Sequence, residues 1–399
     1  MKHFFPLAAV AAAALLLSGC ATGTASGGHT ADSSPIKIGM IVPITGPYSP
    51  LGTGDKAAAE QVVAAVNKAG GVDGRKLELT VQDDKTDVTQ SVTLFNQMAA
   101  DKSVAAIFSS SFVSASAAVG PSAASAKIPI LALGPISAFA DGSNKYAFTV
   151  PATPELYAQQ LVKYFSSVKL KKLAIGYTNG DVYGQTGNAA TLAAAKKAGI
   201  DIVLDEAFDR TATDFTGLIT HVKGSEADGF LVWGAGPGPV IITKQFQGSD
   251  IRLYMTGAEA TTLYTQPSGA AAEGVVMASA AAVAAPALPS GPFATTIKNF
   301  VDPWQAANKD ALPPQFAFDG AAGVQILVAA IKKAGSADRE SIRKALDSLS
   351  VLTVNGRYNY TPTNHGGLTT DDIAIVEVKG GAFVPTPYTV KQFAASAPH

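Results

Sequence analysis

Five serines fall within eight positions in the stretch IFSSSFVSAS, Ile107 to Ser116. The stretch follows the apolar run VAAIF and precedes an Ala-rich segment, so hydroxyls gather where a strand gives way to a helix. At such a junction the first helix amides are unpaired and the helix dipole favours negative charge. Hydroxyls from Ser109, Ser110, Ser111 and Ser114 add donors, and the combination suits a carboxylate. The plainer alternative is helix capping, for which one serine would suffice. Ser116, further along the helix, is expected to be neutral. The next strand ends in LALGPIS, where Gly134 permits close approach and Ser137 offers another hydroxyl.

Motifs of covalent or metal chemistry are missing from the sequence. Of five histidines, only His221 and His365 lie away from the termini, and they are far apart. No H-E-x-x-H, G-x-S-x-G or P-loop occurs, and no cofactor, metal or enzymatic activity is expected. The stretch GFLVWGAGPGPVIITKQF has a strand, a Gly-rich turn and a helix in the context of a dinucleotide fingerprint. Its glycines, Gly234, Gly236 and Gly238, do not follow G-x-G-x-x-G, and Pro237 and Pro239 lack the amides that would cradle a pyrophosphate. A formal net charge of −1 with no basic stripe excludes nucleic acid as an expected partner.

The N-terminus begins with a basic MKH, continues through FFPLAAVAAAALLL and ends in LSGC. The apolar run is shorter than the roughly 20 residues a membrane-spanning helix needs. It reads as a secretory leader over residues 1–19. LSGC resembles the bacterial lipobox, whose cysteine thiol accepts diacylglycerol. Cys20 is the only cysteine in the chain, so lipidation accounts for it and intramolecular disulfides are impossible. Residues 20–35 are small and polar and read as a flexible tether to the membrane.

From Ile36 onward, short β-rich runs alternate with helical segments, as in βαβ units with parallel sheets. The pattern predicts an α/β protein. FTVPATPE, with two prolines, interrupts the alternation near Val150 and marks a crossover between two lobes. After GVVMAS, three helices follow without a strand, and GRYNYTP and DIAIVEV form an expected terminal pair of strands. The first lobe is assigned residues 36–149 and 280–352, and the second 150–279 and 353–392.

The sequence resembles the type I periplasmic solute-binding proteins of branched-chain amino acid ABC importers. The matching stretches are IKIGMIVPITGPYSPLG, AAAEQVVAAVNKAGGVDGRKLELTVQDDKTDVTQSV, TNGDVYG, FAFDGAAGVQILVAAIKKAG and YTPTNHGG. The resemblance implies two Rossmann-like lobes with parallel-sheet cores, joined by three hinge crossovers and closing on a small carboxylate ligand. A branched-chain or other hydrophobic amino acid leads. The alternatives are an aromatic or aliphatic acid without an ammonium group, or a ligand-sensing receptor module. Partners would be an ABC permease and its ATPase, with the protein acting as a lipid-anchored extracytoplasmic monomer.

The resemblance also carries binding residues over. Ser110, Ser111 and Phe112 fall where the family holds the ligand carboxylate, and Gly134 with Ile136 or Ser137 falls after the fourth strand. Tyr183 matches the tyrosine of the x-x-Y-G turn. An aromatic before the first helix falls near Tyr48 or Leu51. A family tyrosine is replaced by Gly236, and the acid that takes the ammonium falls on Ala258 or Glu259. Trp233 and Phe112 are read either as facing a ligand or as core.

Overall fold

The computed structural model describes residues 33–309 and 311–396. The expected leader, Cys20 and nearly all of the tether lie outside the described residues. The first sheet contains β1 (Ile36–Val42), β2 (Leu77–Asp83), β3 (Val104–Ser109), β4 (Ile130–Ala132) and β5 (Ala147–Thr149), all parallel in the order β2-β1-β3-β4-β5. The chain then builds β6 (Lys172–Asn179), β7 (Asp201–Asp209), β8 (Gly229–Trp233), β9 (Arg252–Met255) and β10 (Val276–Ala280). After three helices come a hairpin, β11 (Ser350–Thr353) with β12 (Gly356–Asn359), and then β13 (Ile373–Lys379) and β14 (Ala382–Pro385). The second sheet runs β14-β13-β10-β9-β8-β6-β7. It is parallel except at one edge, where β13 pairs antiparallel with β10 and with β14.

Burial explains the sequence patterns. Strand β3 is buried throughout because helices cover both of its faces. Strands β2 and β7 end their sheets and expose alternate or most residues. Helix Ser49–Lys68 packs against helix Gln315–Ala334 so closely that a Cβ on Gly320 would sit 2.2 Å from the Asp55 carbonyl oxygen. Only glycine allows that approach, and it brings the acids of the two helices, Asp55 and Asp319, together.

Two sequence expectations change. GRYNYTP and DIAIVEV are not partners, since β12 pairs with β11 and β13 joins the second sheet. The final crossover also falls later than residue 353. Thr149 N donates to His365 O, His365 N to Ala140 O, and the Tyr360 hydroxyl to Thr149 O at 2.9 Å. The Tyr358 hydroxyl also reaches Val150 O. These bonds hold residues 356–367 to the first lobe, and the chain crosses only as it approaches Ile373. The FTVPATPE segment contains β5 before its prolines turn the chain toward helix Pro154–Ser167.

Candidate functional site

The carboxyl ends of β3 and β4 on one lobe face those of β6, β8 and β9 on the other, the place where open parallel sheets bind ligands. A narrow cavity of ≈ 50 Å³ lies between them. Its first-lobe wall includes Tyr48, Ser111, Phe112, Leu133 and Pro135. Its second-lobe wall includes Asp181, Tyr183, Ala235, Gly257 and Ala258, with Tyr157, Gln315, Phe316 and Asp319 around the hinge. Among the described residues, no lysine, arginine or histidine lines it.

The serines divide by partner. Ser109 and Ser116 share a buried hydrogen bond of 2.6 Å, so Ser116 is a structural residue and not the neutral position expected. The Ser110 hydroxyl accepts from Phe112 N at 3.1 Å and also serves the Asp84 carboxyl. Ser110 therefore shapes the turn without facing the cavity. Ser111 does face it, is 4 % exposed, and its hydroxyl lies against the Asp55 carboxyl without a hydrogen bond of full geometry among the described residues. No side chain caps helix Val113–Ala126, which disposes of the capping alternative for these hydroxyls. Phe112 faces the cavity and packs on Tyr48 with ring centroids 5.1 Å apart.

Gly134 lies outside the lining, under the serine turn; a Cβ there would stand 3.1 Å from Ser110 O. It lets the turn descend onto β4. Ser137 is committed elsewhere, donating to Glu155 at 2.7 Å. Gly134 and Ser137 are thus not brought to the cavity, and Ile136 is buried in the core.

On the opposite wall, Tyr183 is positioned from both ends. Asp181 caps its helix, accepting from Tyr183 N at 3.2 Å, and the tyrosine hydroxyl bonds Thr256 Oγ1 at 2.6 Å. Trp233 packs edge-on at 5.3 Å behind it and donates to Thr191 at 2.9 Å. A Cβ on Gly187 would meet the Trp233 ring at 2.1 Å, so a glycine in helix Val182–Ala198 makes room for the indole. Trp233 is core and touches no part of the cavity.

Gly236 and Glu259 line an adjoining chamber that shares Leu51, Ala258 and Phe316 with the cavity. The Tyr48 ring lies 3.3 Å from where a Gly236 Cβ would stand, so an aromatic from the first lobe covers Gly236. Burial raises the Glu259 carboxyl well above its ordinary range.

The acids at the cavity are others. Asp181 and Asp319 line it, and burial pushes both pKa values up, Asp319 to about 8. Asp319 accepts from Asn355 Nδ2 at 2.6 Å. Asp55, fully buried, is raised well above its ordinary value first by burial and then by the Asp319 charge. Gln315 donates to the Tyr157 hydroxyl at 3.0 Å and accepts from Ala280 N, tying the hinge to β10. The signal for Asp319 was present in the sequence: one acid inside the otherwise apolar FAFDGAAGVQILVAA is anomalous unless buried for a reason. Asp181 was equally legible as the helix cap just before Tyr183. Asp55 looked like an ordinary surface charge.

Residues 35–382 match the family described as periplasmic binding protein. Leu/Ile/Val-binding protein homolog 3 of Brucella melitensis is 28% identical over 381 residues, covering 92% of this chain and 98% of the relative. The Leu/Ile/Val-binding protein BraC3 of Rhizobium johnstonii is 27% identical, covering 88% of this chain and 93% of its own. An extracellular ligand-binding receptor from Rhodopseudomonas palustris HaA2 superposes with a TM-score of 0.80 at 26% identity, covering 88% of this chain and 99% of that structure.

Proposed function

Since the chain belongs to the periplasmic binding protein family, an extracytoplasmic family of solute carriers and not of enzymes, we propose that it captures a small hydrophobic amino acid and delivers it to an ABC permease. Its anchor is a lipid on Cys20, and it acts as a monomer. The carrying observation is the cavity itself: a Ser111 hydroxyl at a helix N-terminus, held only loosely against Asp55, with apolar walls, carboxyls and no basic side chain among the described lining residues. The hydroxyl and helix amides supply donors to a carboxylate. Leu51, Phe112, Val113 and Leu133 receive an aliphatic side chain. The acids favour a ligand that also carries positive charge, which speaks against an organic acid lacking an ammonium. The names of the Brucella and Rhizobium relatives support a branched-chain amino acid. The cavity is so narrow that a solute displaces only a few waters and touches both walls at once.

The test is a thermal-shift and calorimetric screen of the full chain with L-alanine, L-valine, L-leucine, L-isoleucine and their 2-oxo acids. A bound amino acid at ~100 times its Kd adds about 2.7 kcal/mol of stability. Stabilisation by the 2-oxo acids alone would move the reading to organic acids. Intact mass of protein from native membranes is expected to show diacylglycerol on Cys20.

A further inference from the structure

Behind the first-lobe wall, both carboxyl oxygens of Asp55, the Ser111 hydroxyl and the Asn355 amide oxygen make no hydrogen bond of full geometry among the described residues, although Ser111 and the Gly320 amide lie against Asp55 and Tyr358 lies against Asn355. Their residues are at most 4 % exposed. Asp319, bonded to Asn355, joins them, and Asp319 and Ser111 open onto the cavity. This is an excess of acceptors in a place that water reaches poorly, and buried acceptors without donors are costly. The missing partner is rich in donors and positively charged, because no basic side chain lines the cavity to supply either.

We propose that the Asp55–Asp319 pair, reached beside Ser111, seats the ammonium of the solute, and that an ammonium entering there displaces a proton held by the empty pair. The proposal rests on the reading of the solute as an amino acid. The pair is preferred as the acceptor to Glu259, whose carboxyl also has a buried, unpartnered oxygen among the described residues but faces the adjoining chamber. The balance is simple: the carboxyl proton passes to solvent, and the ammonium keeps all three of its own. The surroundings favour retention of that proton in the empty state. Asp55 comes from helix Ser49–Lys68, Asp319 from helix Gln315–Ala334, the Tyr157 hydroxyl from helix Pro154–Ser167, and Tyr358 with Asn355 from the hairpin segment. Asp181 faces the cavity from the second lobe. These groups include no base. Burial raises both carboxyls, Asp319 to about 8, in keeping with a proton held at neutral pH.

The experiment is calorimetry of the full chain at pH 7 in phosphate and in Tris, whose ionisation enthalpies differ. The titrants are L-alanine, L-valine, L-leucine and L-isoleucine. Wild-type protein is expected to release up to one proton per amino acid bound, a readout that needs no variant. Asp319→Asn is expected to weaken amino-acid binding roughly 10- to 100-fold and to abolish proton release. Binding without release, or with proton uptake, would overturn the assignment while leaving amino-acid capture intact. So would a Glu259→Gln loss that Asp319→Asn does not match. Failure of wild type to bind any of the four overturns the functional reading as well.

Discussion

The two walls of the cavity solve opposite problems. On the second-lobe side most polar groups are satisfied: Tyr183 bonds Thr256, Trp233 in the core behind it bonds Thr191, and Asp181 caps the helix that carries Tyr183, while Glu259 Oε1 in the adjoining chamber has no partner among the described residues. The first-lobe wall leaves Ser111 and Asp55, which lie against each other, without a hydrogen bond of full geometry among the described residues although both are buried. Saturated polar groups give shape, and unsaturated ones give affinity, because only the latter gain bonds when a solute arrives. On that contrast, the first lobe is expected to grip the solute and the second to close over it as a lid.

The largest test of that contrast is in the lid. Trp233→Ala removes a fully buried indole behind Tyr183 and is expected to cost about 3–5 kcal/mol of stability in urea unfolding. If it instead left stability intact and weakened binding, the lid would be a gripping surface. Ser111→Ala is expected to behave oppositely, with solute affinity falling roughly 10- to 100-fold and the stability of the empty protein hardly changing, as calorimetry and urea titration together would show.

The third test uses pH. The folded pKa of Asp319, about 8, lies above its ordinary 3.8, so between those values the folded state binds more protons than the unfolded state. Its contribution is therefore most favourable below pH ~4 and is lost as pH rises toward 8, at up to about 1.4 kcal/mol per pH unit. Urea midpoints of the empty protein from pH 5 to 8 are expected to fall less steeply in Asp319→Asn than in wild type. The smallest effect sharpens the contrast within the serine turn. Ser116→Ala breaks the bond to Ser109 and is expected to lower stability by about 1 kcal/mol with unchanged affinity.

The strand runs of the sequence were legible because β-rich, apolar segments of four to nine residues have few other fates between helices. IKIGMIVP, GFLVWG and GVVMAS became β1, β8 and β10. The last crossover was not legible: nothing local in GRYNYTP shows that its tyrosines bond Thr149 and Val150, some 210 residues earlier. In the site, Ser111, Phe112 and Tyr183 were readable from junction chemistry and family pattern, and all three line the cavity. The role of Asp55 was hidden, because its burial depends on a helix that begins at Gln315 and on Gly320 within it. Ser137 misled because a hydroxyl at a strand end advertises a ligand contact, whereas its partner is Glu155 in the first helix after the crossover.

Tyr48 belongs to the first lobe, yet its ring covers Gly236 of the second, and its hydroxyl faces Arg210. An aromatic borne by residue 236 itself would stay with its own lobe if the lobes parted. Here the contact exists only while the lobes are together, so each opening exposes an aromatic face to water. In the arrangement seen here, that contact opposes separation of the two lobes.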